Sequence, residues 1–386
     1  MHFALQHTDK NTKARAGLLV TDHGEIRTPA FMPVGTLATV KSLLPRDVWD
    51  TGARMCLANA YHLYLRPGTA IVREAGGLHK FANWAGSILT DSGGYQIYSL
   101  SDLRKITDDG VKFKSHLDGS PHYFTPEKVI EIERDLGPDI MMVLDECPAS
   151  NSEYSIVETA VNRTIDWAQR AMEHVEKTQP LHGYAQAPFL IVQGGVHRGL
   201  RERCAEQLVR MNSSGYAIGG LAVGEPNEVM YEVTNWVTDV LPAEKPRYLM
   251  GVGTPVDLLE SIARGVDMFD CVLPTRNARN GQLFTSGGKL NMRNAKWRND
   301  FSLIDDSTTS YASQNFTKAY LAHLFNADEI LGLTLATMHN IAFYEQLVID
   351  ARERILDGSF ETWKNMFIRK YNQDDKTGIK AEGILA

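Results

Sequence analysis

Seven short apolar runs recur along the chain with helix-patterned segments between them: "RMCLANA", "SILTDSGG", "DIMMVLDE", "FLIVQGG", "GYAIGGLA", "RYLMGVG" and "MFDCVLP". Strand–helix alternation points to a parallel sheet, because parallel neighbours need a crossover connection. Each run closes on a group with chemistry or backbone freedom: Asn59, Asp91, Asp145, Gln193, Gly220, Gly251 and Asp270. A doubly wound sheet would gather only the ends near its switch point. A (β/α)8 barrel gathers all of them round one mouth. The expected fold is therefore α/β, a (β/α)8 TIM barrel.

Helix punctuation agrees. Thr125-Pro126-Glu127 supplies a cap, a first-turn proline and an early acid, Val129, Ile132 and Leu136 share a face, and Gly137 stops the element. Helical stripes also run through Val161, Ile165, Ala168 and Met172, through Leu200, Cys204, Leu208 and Met211, and through Val229, Val233, Trp236 and Val240. Thr254-Pro255 opens a further helix that Gly265 ends. Three stretches read as decorating hairpins: "ARAGLLVTDHGEIRTPAFM", "GVKFKSHLDGSPHYF" and "GQLFTSGGKLNMRN". No linker divides the 386 residues, which suits one barrel domain over 1–386.

A net charge of −7 would argue against a polyanionic partner if it were evenly spread. From Thr275 to Arg298, however, Arg276, Arg279, Lys289, Arg293, Lys296 and Arg298 occur without one acid. That segment is either a solvated hairpin or a polyanion site. The four cysteines lack CxxC spacing, so they build neither a disulfide framework nor a Cys-rich zinc site. No apolar run reaches the roughly 20 residues of a membrane span, and "MHFALQHTDKNTKARAG" lacks the core of a signal peptide. A cytoplasmic protein is expected.

Asp91, Asp145 with Glu146, and Asp270 are the strand-end acids. Any one could cap a helix or pair with an arginine; several converging on one mouth suit displacement at a sugar carbon, one carboxylate attacking and another protonating the leaving group. Gly93-Gly94 allows close backbone approach, Tyr95 and Met250 offer flat or soft surfaces, and Gln193 offers both a donor and an acceptor, although each of these also suits a core position. "AIGGLAVGE", Ala217 to Glu225, matches neither a dinucleotide fingerprint nor a phosphate loop.

"FMPVGT", "YHLYLRPG", "LTDSGGYQ", "FKSHLDGS", "DEC", "QGG", "GGLAVGE", "YLMGVG" and "FDCVLPTRNARNG" together resemble the ordered motifs of bacterial tRNA-guanine transglycosylase, and "HNIAFY" extends the match toward the C-terminus. The resemblance implies a (β/α)8 barrel that exchanges the wobble guanine of GUN-anticodon tRNAs for a 7-deazaguanine base in queuosine biosynthesis. It implies Asp270 as the nucleophile on ribose and Asp91 as the general acid/base. Base recognition falls on the "DSGGY" segment, Ser92, Gly93, Gly94 and Tyr95, on Asp145 and Gln193, and on the backbone at Gly220 and Leu221. Tyr95 and Met250 would sandwich the ring. Cys147 and Val223 match residues lining the pocket in enzymes that use 7-aminomethyl-7-deazaguanine, and Glu225 the acid that orients the peptide after Leu221. The tRNA-contacting segments correspond to Gly251, Val252, Gly253, Thr254, Pro255, Val256 and Asp257, and to Thr275, Arg276, Asn277, Ala278 and Arg279. A homodimer is implied as well.

Two departures stand out. The family's CxCxxC zinc cluster is replaced by "DDSTTSYASQ", with Thr308, Ser310 and Ser313 at the cysteine positions and only His339 remaining. Neutral hydroxyls do not replace thiolates round Zn²⁺, so no structural zinc and no other cofactor is expected, and the subdomain inserted at about 282–340, after which the last helices return to the barrel, must be held by packing. "ANAYHL" places Ala60 where the family tends to carry threonine. The incoming base stays open between 7-aminomethyl-7-deazaguanine, favoured by Cys147 and Val223, and queuine. The carboxylates alone would also allow a glycoside hydrolase, and the family a non-catalytic tRNA-binding subunit.

Overall fold

The computed structural model describes residues 1–100, 104–149 and 151–375. Eight parallel strands, β1 (Ala30–Pro33), β2 (Met55–Asn59), β3 (Ser87–Asp91), β4 (Ile140–Met142), β5 (Ala187–Val192), β6 (Gly215–Ile218), β7 (Arg247–Leu249) and β8 (Met268–Cys271), pair in the order β1-β8-β7-β6-β5-β4-β3-β2. The ring closes where Val34 bridges Leu57 in parallel and the Gly35 N–H donates to the Leu57 carbonyl at 2.7 Å. This is the expected (β/α)8 barrel.

One strand differs from the sequence reading. Ala30–Pro33 lies inside the stretch read as a hairpin, yet it pairs in parallel with β8, with Asp270 opposite Met32. Four residues that follow one proline and end on another carry no readable periodicity, and the two prolines resemble a turn. The hairpin proper joins Arg15–Thr21 to Gly24–Thr28, and His2–Thr8 adds a third strand. Likewise Arg104–Thr107 joins the hairpin of Gly110–Lys114 and Pro121–Phe124. The third hairpin pairs Gln282–Thr285 with Gly288–Asn291.

The helices start and stop for the expected local reasons. The helix Pro126–Leu136 is capped by Thr125 Oγ1, which accepts the Lys128 N–H at 3.2 Å, and ends at Gly137 with φ 69°. Tyr154–Lys177, Arg198–Arg210 and Asn227–Val240 carry the three predicted stripes, and Pro255–Ile262 is the helix opened by Thr254-Pro255. Their apolar faces bury Val161, Leu200, Cys204, Leu208, Val233 and Val237 against outward strand residues such as Val192, Ile218 and Phe269.

Strand side chains alternate, so every second residue enters the barrel. Met32, Leu57, Leu89, Met142, Ile191, Ala217, Tyr248 and Met268 fill it, and Phe3, Leu19 and Ile26 of the N-terminal sheet close its floor. There His23 Nδ1 and His79 Nε2 face the two oxygens of Asp139 at 2.8 and 3.2 Å. A smaller core of Leu283, Met292, Ile304, Leu321, Phe325 and Leu335 organises residues 278–336. The long helix Ile330–Asp357 starts in that core and continues into the barrel layer through Phe343, Tyr344 and Leu347.

Candidate active site

The inward alternation determines what stands in the mouth. Two residues beyond inward-facing Leu57, Leu89, Ile191, Tyr248 and Met268 come Asn59, Asp91, Gln193, Met250 and Asp270, the top layer of the barrel. Asp270 lies one residue before the end of β8, and its Oδ1 accepts the Tyr248 hydroxyl at 2.6 Å and the Gly251 N–H at 2.8 Å. Burial raises its pKa, while these two donors pull it back toward the ionised form. Burial and the Asp270 charge keep the Tyr248 hydroxyl protonated, hence a permanent donor.

Asp91 ends β3 directly beside Asn59 in the parallel register. Asn59 Nδ2 donates to its Oδ2, and the Ala60 N–H donates to its Oδ1 at 3.0 Å. The backbone thus holds Asp91 at the position where the usual threonine hydroxyl is missing. Burial pushes its pKa up to about 7, helped by the Asp270 charge and opposed by the N–H groups of Ala60 and Gly93. Two carboxylates, one held by strong donors and one poised near neutrality, therefore share this mouth.

Beside them, Gln193 Nε2 donates to Asp145 Oδ2 at 2.7 Å, and Ser92 Oγ donates to Asp145 Oδ1 at 3.5 Å. Burial pushes Asp145 up to about 6, so protonated and ionised forms are both accessible. Gln193 Oε1 is buried without a partner, an acceptor left for a ligand. Gly220, at φ 63°, brings its backbone so close that a Cβ would overlap the Gln193 carboxamide and touch Cys147 Sγ at 3.5 Å. Burial pushes the Cys147 thiol up to about 12, which makes it a neutral wall and not a nucleophile.

Glu225 accepts the Ala222 N–H at 2.5 Å and the Val223 N–H at 3.1 Å. In a trans peptide the Leu221 carbonyl then points away from Glu225. Ala222 pays for this turn in left-handed backbone, φ 57°. Met250 packs on the barrel interior, and Tyr95 is 52 % exposed beside Gly94.

Sequence reasoning missed two positioning groups. Tyr248 looked like a core aromatic; its place directly below Met250 on β7 was the signal. Arg201 is fully buried and donates to the carbonyls of Gly195, Val192 and Gly219 at 2.8, 2.9 and 2.7 Å and of Gly220 at 3.2 Å. It clamps the β5 and β6 turns that shape the base side of the pocket, and nothing in a helix reading "RGLRERC" marks it.

The two segments matched to RNA contact follow β7 and β8 at the mouth. In the first, Gly251 is exposed and Thr254 and Val256 half-buried, whereas Val252, Gly253, Pro255 and Asp257 are buried. Gly253 admits no Cβ because Cys271 occupies that space, and Asp257 accepts Asn227 Nδ2 at 3.0 Å and the Tyr231 hydroxyl at 2.5 Å. In the second, Arg276 is exposed, Asn277 and Arg279 are half-buried, and Thr275 and Ala278 are buried. Arg279 donates to the Thr275 carbonyl at 2.8 Å, and burial and the charge of Arg276 lower its pKa, the signature of two like charges held together.

At the altered cluster, Thr308, Ser310, Ser313 and His339 are all buried. His339 Nε2 lies 2.8 Å from the Phe284 carbonyl and must donate to it, which leaves Nδ1 to accept the Ser313 hydroxyl at 2.8 Å. Ser310 and Ser313 hydroxyls are 2.7 Å apart, and Thr308 donates to Asp305 at 3.0 Å. These neutral oxygens do not fit a zinc ion. Among the described residues the group of metal-ligating side chains that does converge is His23, His79 and Asp139, at the opposite end of the barrel. Its imidazoles stack 3.5 Å apart at 11°, so the two ring planes do not meet within bonding distance of both nitrogens, where an ion would have to sit.

The family model described as queuine tRNA-ribosyltransferase matches residues 9–373. The chain is similar to the queuine tRNA-ribosyltransferase of Caldanaerobacter subterraneus subsp. tengcongensis, 55% identical over 363 residues that cover 94% of this chain and 96% of that one. It is also similar to those of Thermoanaerobacter pseudethanolicus, 52% identical over 97% of this chain and 98% of the relative, and Desulforamulus reducens, 52% identical over 95% and 98%.

Proposed function

The chain belongs to the queuine tRNA-ribosyltransferase family, and from that premise we propose how its own residues carry out the exchange. It is a tRNA-guanine pentosyltransferase of queuosine synthesis, acting on tRNA. The observation that carries the mechanism is the pair of top-layer carboxylates, Asp270 fixed by Tyr248 and Gly251 and Asp91 raised to about 7.

Wobble guanine leaves its stack in the single-stranded anticodon loop of a GUN tRNA, at a cost of a few kcal/mol, and enters between Tyr95 and Met250. Both donors hold Asp270 Oδ1, so Oδ2 attacks ribose C1′. The C1′–N9 bond breaks as Asp91 delivers its proton to the departing guanine, and Asp270 is left as a glycosyl ester. The incoming base gives its N9 proton to Asp91, N9 attacks C1′, and Asp270 is released as carboxylate. Asp145, Gln193 and the backbone at Gly220 and Leu221 read the polar edge of the base.

The Leu221–Ala222 peptide supports 7-aminomethyl-7-deazaguanine as the incoming base. With Ala222 N–H held by Glu225, the Leu221 carbonyl is available to accept from an aminomethyl group. Arg276 and Arg279 would hold phosphates, and the buried members of both RNA segments maintain their shape.

The hydroxyl–histidine chain supports a subdomain without zinc. A homodimer is in keeping with the ring series in which exposed Tyr311, Tyr320 and His323 flank half-buried Phe316. No helix among the described residues is long and apolar enough to cross a membrane, in line with a cytoplasmic site of action.

Incubation with unmodified tRNA and labelled guanine tests the function. Label should enter intact tRNA. Absence of uptake would remove the exchange reading, and a requirement for a second protein would favour the accessory-subunit one.

A further inference from the structure

Resting on the tRNA reading above, we propose that the outer face of the three-stranded sheet Arg104–Thr107, Gly110–Lys114 and Pro121–Phe124 is a second RNA-backbone contact surface, separate from the two segments that follow β7 and β8. The sheet is inserted between Asp91 and the helix Pro126–Leu136, so it belongs to the loop above β3 on the active-site side of the barrel. Tyr61 and Tyr64, on the helix after β2, hold it through His116 at 2.9 Å and His122 at 3.1 Å. A small cavity continues from Gly94, Asp145 and Cys147 to Arg104, Ile106 and Val111 on the sheet's inner side. The sheet therefore adjoins the base pocket.

Its outer face is built against its own stability. Lys105 stands directly opposite Lys112, and Lys112 opposite Tyr123, in one cross-strand row; Lys114 lies two residues along on the same face. Like charges directly opposite one another are destabilising. Edge lysines can guard a sheet against aggregation, but Lys112 and Lys114 are on the central strand. Among the described residues none of the three lysines forms an ion pair. Lys112 Nζ instead lies 5.3 Å from the Tyr123 ring centre. The acids in the two turns of the sheet are Asp108, Asp109 and Asp118; Asp108 is engaged by Arg163 at 3.1 Å, and Asp118 accepts the Ser120 hydroxyl at 2.7 Å.

An open groove of ≈ 520 Å³ runs along these three lysines and Tyr123. Unneutralised cations beside an exposed aromatic ring in a protein of net charge −7 fit a polyanion with flat bases, which is RNA. The occupant is the backbone of the same tRNA flanking the extruded nucleotide.

The test is base exchange with labelled guanine and full-length tRNA across a salt series, for wild type and for Lys105→Glu/Lys112→Glu/Lys114→Glu. A control makes the same charge change at Lys10, Lys80 and Lys177, on the floor side. The reversed face should raise KM for tRNA at least tenfold over that control, with kcat within about twofold. The slope of log(kcat/KM) against log[salt] should become shallower by about 2, from ~0.7 per lost single-strand contact. The corresponding triple alanine variant should show the same direction more weakly, and matching urea midpoints would establish that the variants are folded.

Unchanged KM and slope, with active wild type, would overturn this surface and leave the exchange reading intact. A change only in sedimentation would make the face a protein contact and overturn it equally. Wild type that incorporates no guanine would instead overturn the exchange reading.

Discussion

Asp91 and Asp270 are the same residue type at equivalent heights in the barrel, yet their surroundings divide the labour. Asp270 receives a phenol and a backbone N–H on one oxygen. Asp91 is buried and faces the Asp270 charge, which together keep its proton to about pH 7. In the proposed exchange the free enzyme starts with Asp91 protonated and Asp270 ionised. As pH rises through about 7, kcat/KM for tRNA should fall, and it should fall again on the acid side as Asp270 takes up a proton; the two limbs belong to the coupled pair. Asp91→Asn should lower kcat by about 10²–10⁴-fold and remove the alkaline limb. An unchanged limb in that variant would reassign the acid.

In the proposed base pocket Glu225 acts one peptide away from the base, through the Ala222 N–H. Glu225→Gln can still accept one N–H but can also turn a donor toward the backbone, so KM for 7-aminomethyl-7-deazaguanine should rise more than KM for guanine. Equal shifts for both bases would mean that the peptide does not discriminate.

Residue positions were legible where alternation alone sufficed: a polar residue two positions beyond a buried one points into the mouth. Roles that depend on register between distant strands were not. Asn59 meets Asp91 because β2 and β3 pair at those positions, and Tyr248 reaches Asp270 because β7 neighbours β8. Arg201 required knowing which carbonyls end at its helix.

Among the elements, the long helix Ile330–Asp357 links the two halves of the chemistry. His339 takes the Phe284 carbonyl, and Asn340 takes the carbonyls of Pro274 and Gln282 at 2.9 and 3.0 Å while accepting the Phe284 N–H at 3.0 Å. The cationic helix Leu273–Arg279 and the hairpin after it are thereby fixed to the barrel. Ser313→Ala should leave His339 Nδ1 buried without a donor and lower unfolding stability by roughly 1–3 kcal/mol, read as a reduced urea midpoint at constant slope. An unchanged midpoint would show that the hydroxyl chain does not hold the subdomain.

Burial lowers His339 to about 4. Because the folded-state pKa is depressed below 6.5, this histidine's contribution is fully present above pH 6.5 and is lost as pH falls toward 4, roughly 3 kcal/mol over that window. Stability should therefore fall less steeply with acid in His339→Gln than in wild type. Equal slopes would contradict the buried neutral histidine. Metal analysis of the purified protein should find no stoichiometric zinc; one zinc per chain would refute the reading of Thr308, Ser310 and Ser313. The altered cluster was legible from residue chemistry alone, whereas its hydroxyl chain depended on side-chain placement. β1 was missed because three residues between two prolines carry too little pattern to separate strand from turn.

At the scale of the molecule, a barrel that points one layer of side chains into one mouth gathers seven dispersed strand ends, and the helix after β8 sets Arg276 and Arg279 beside it, where the proposed exchange needs RNA backbone. An overall charge of −7 conceals this local arrangement. The central claim is that Asp270 carries the ribose between two bases. Its most direct measurement is recovery of a denaturation-resistant complex of protein and GUN-anticodon tRNA, formed with wild type and with Asp270→Asn under the same conditions. Wild type should yield a band at one tRNA per active site that is lost when excess base is added before denaturation, and Asp270→Asn should yield none. An undiminished adduct with Asp270→Asn, or exchange at wild-type rate by that variant, would contradict the account.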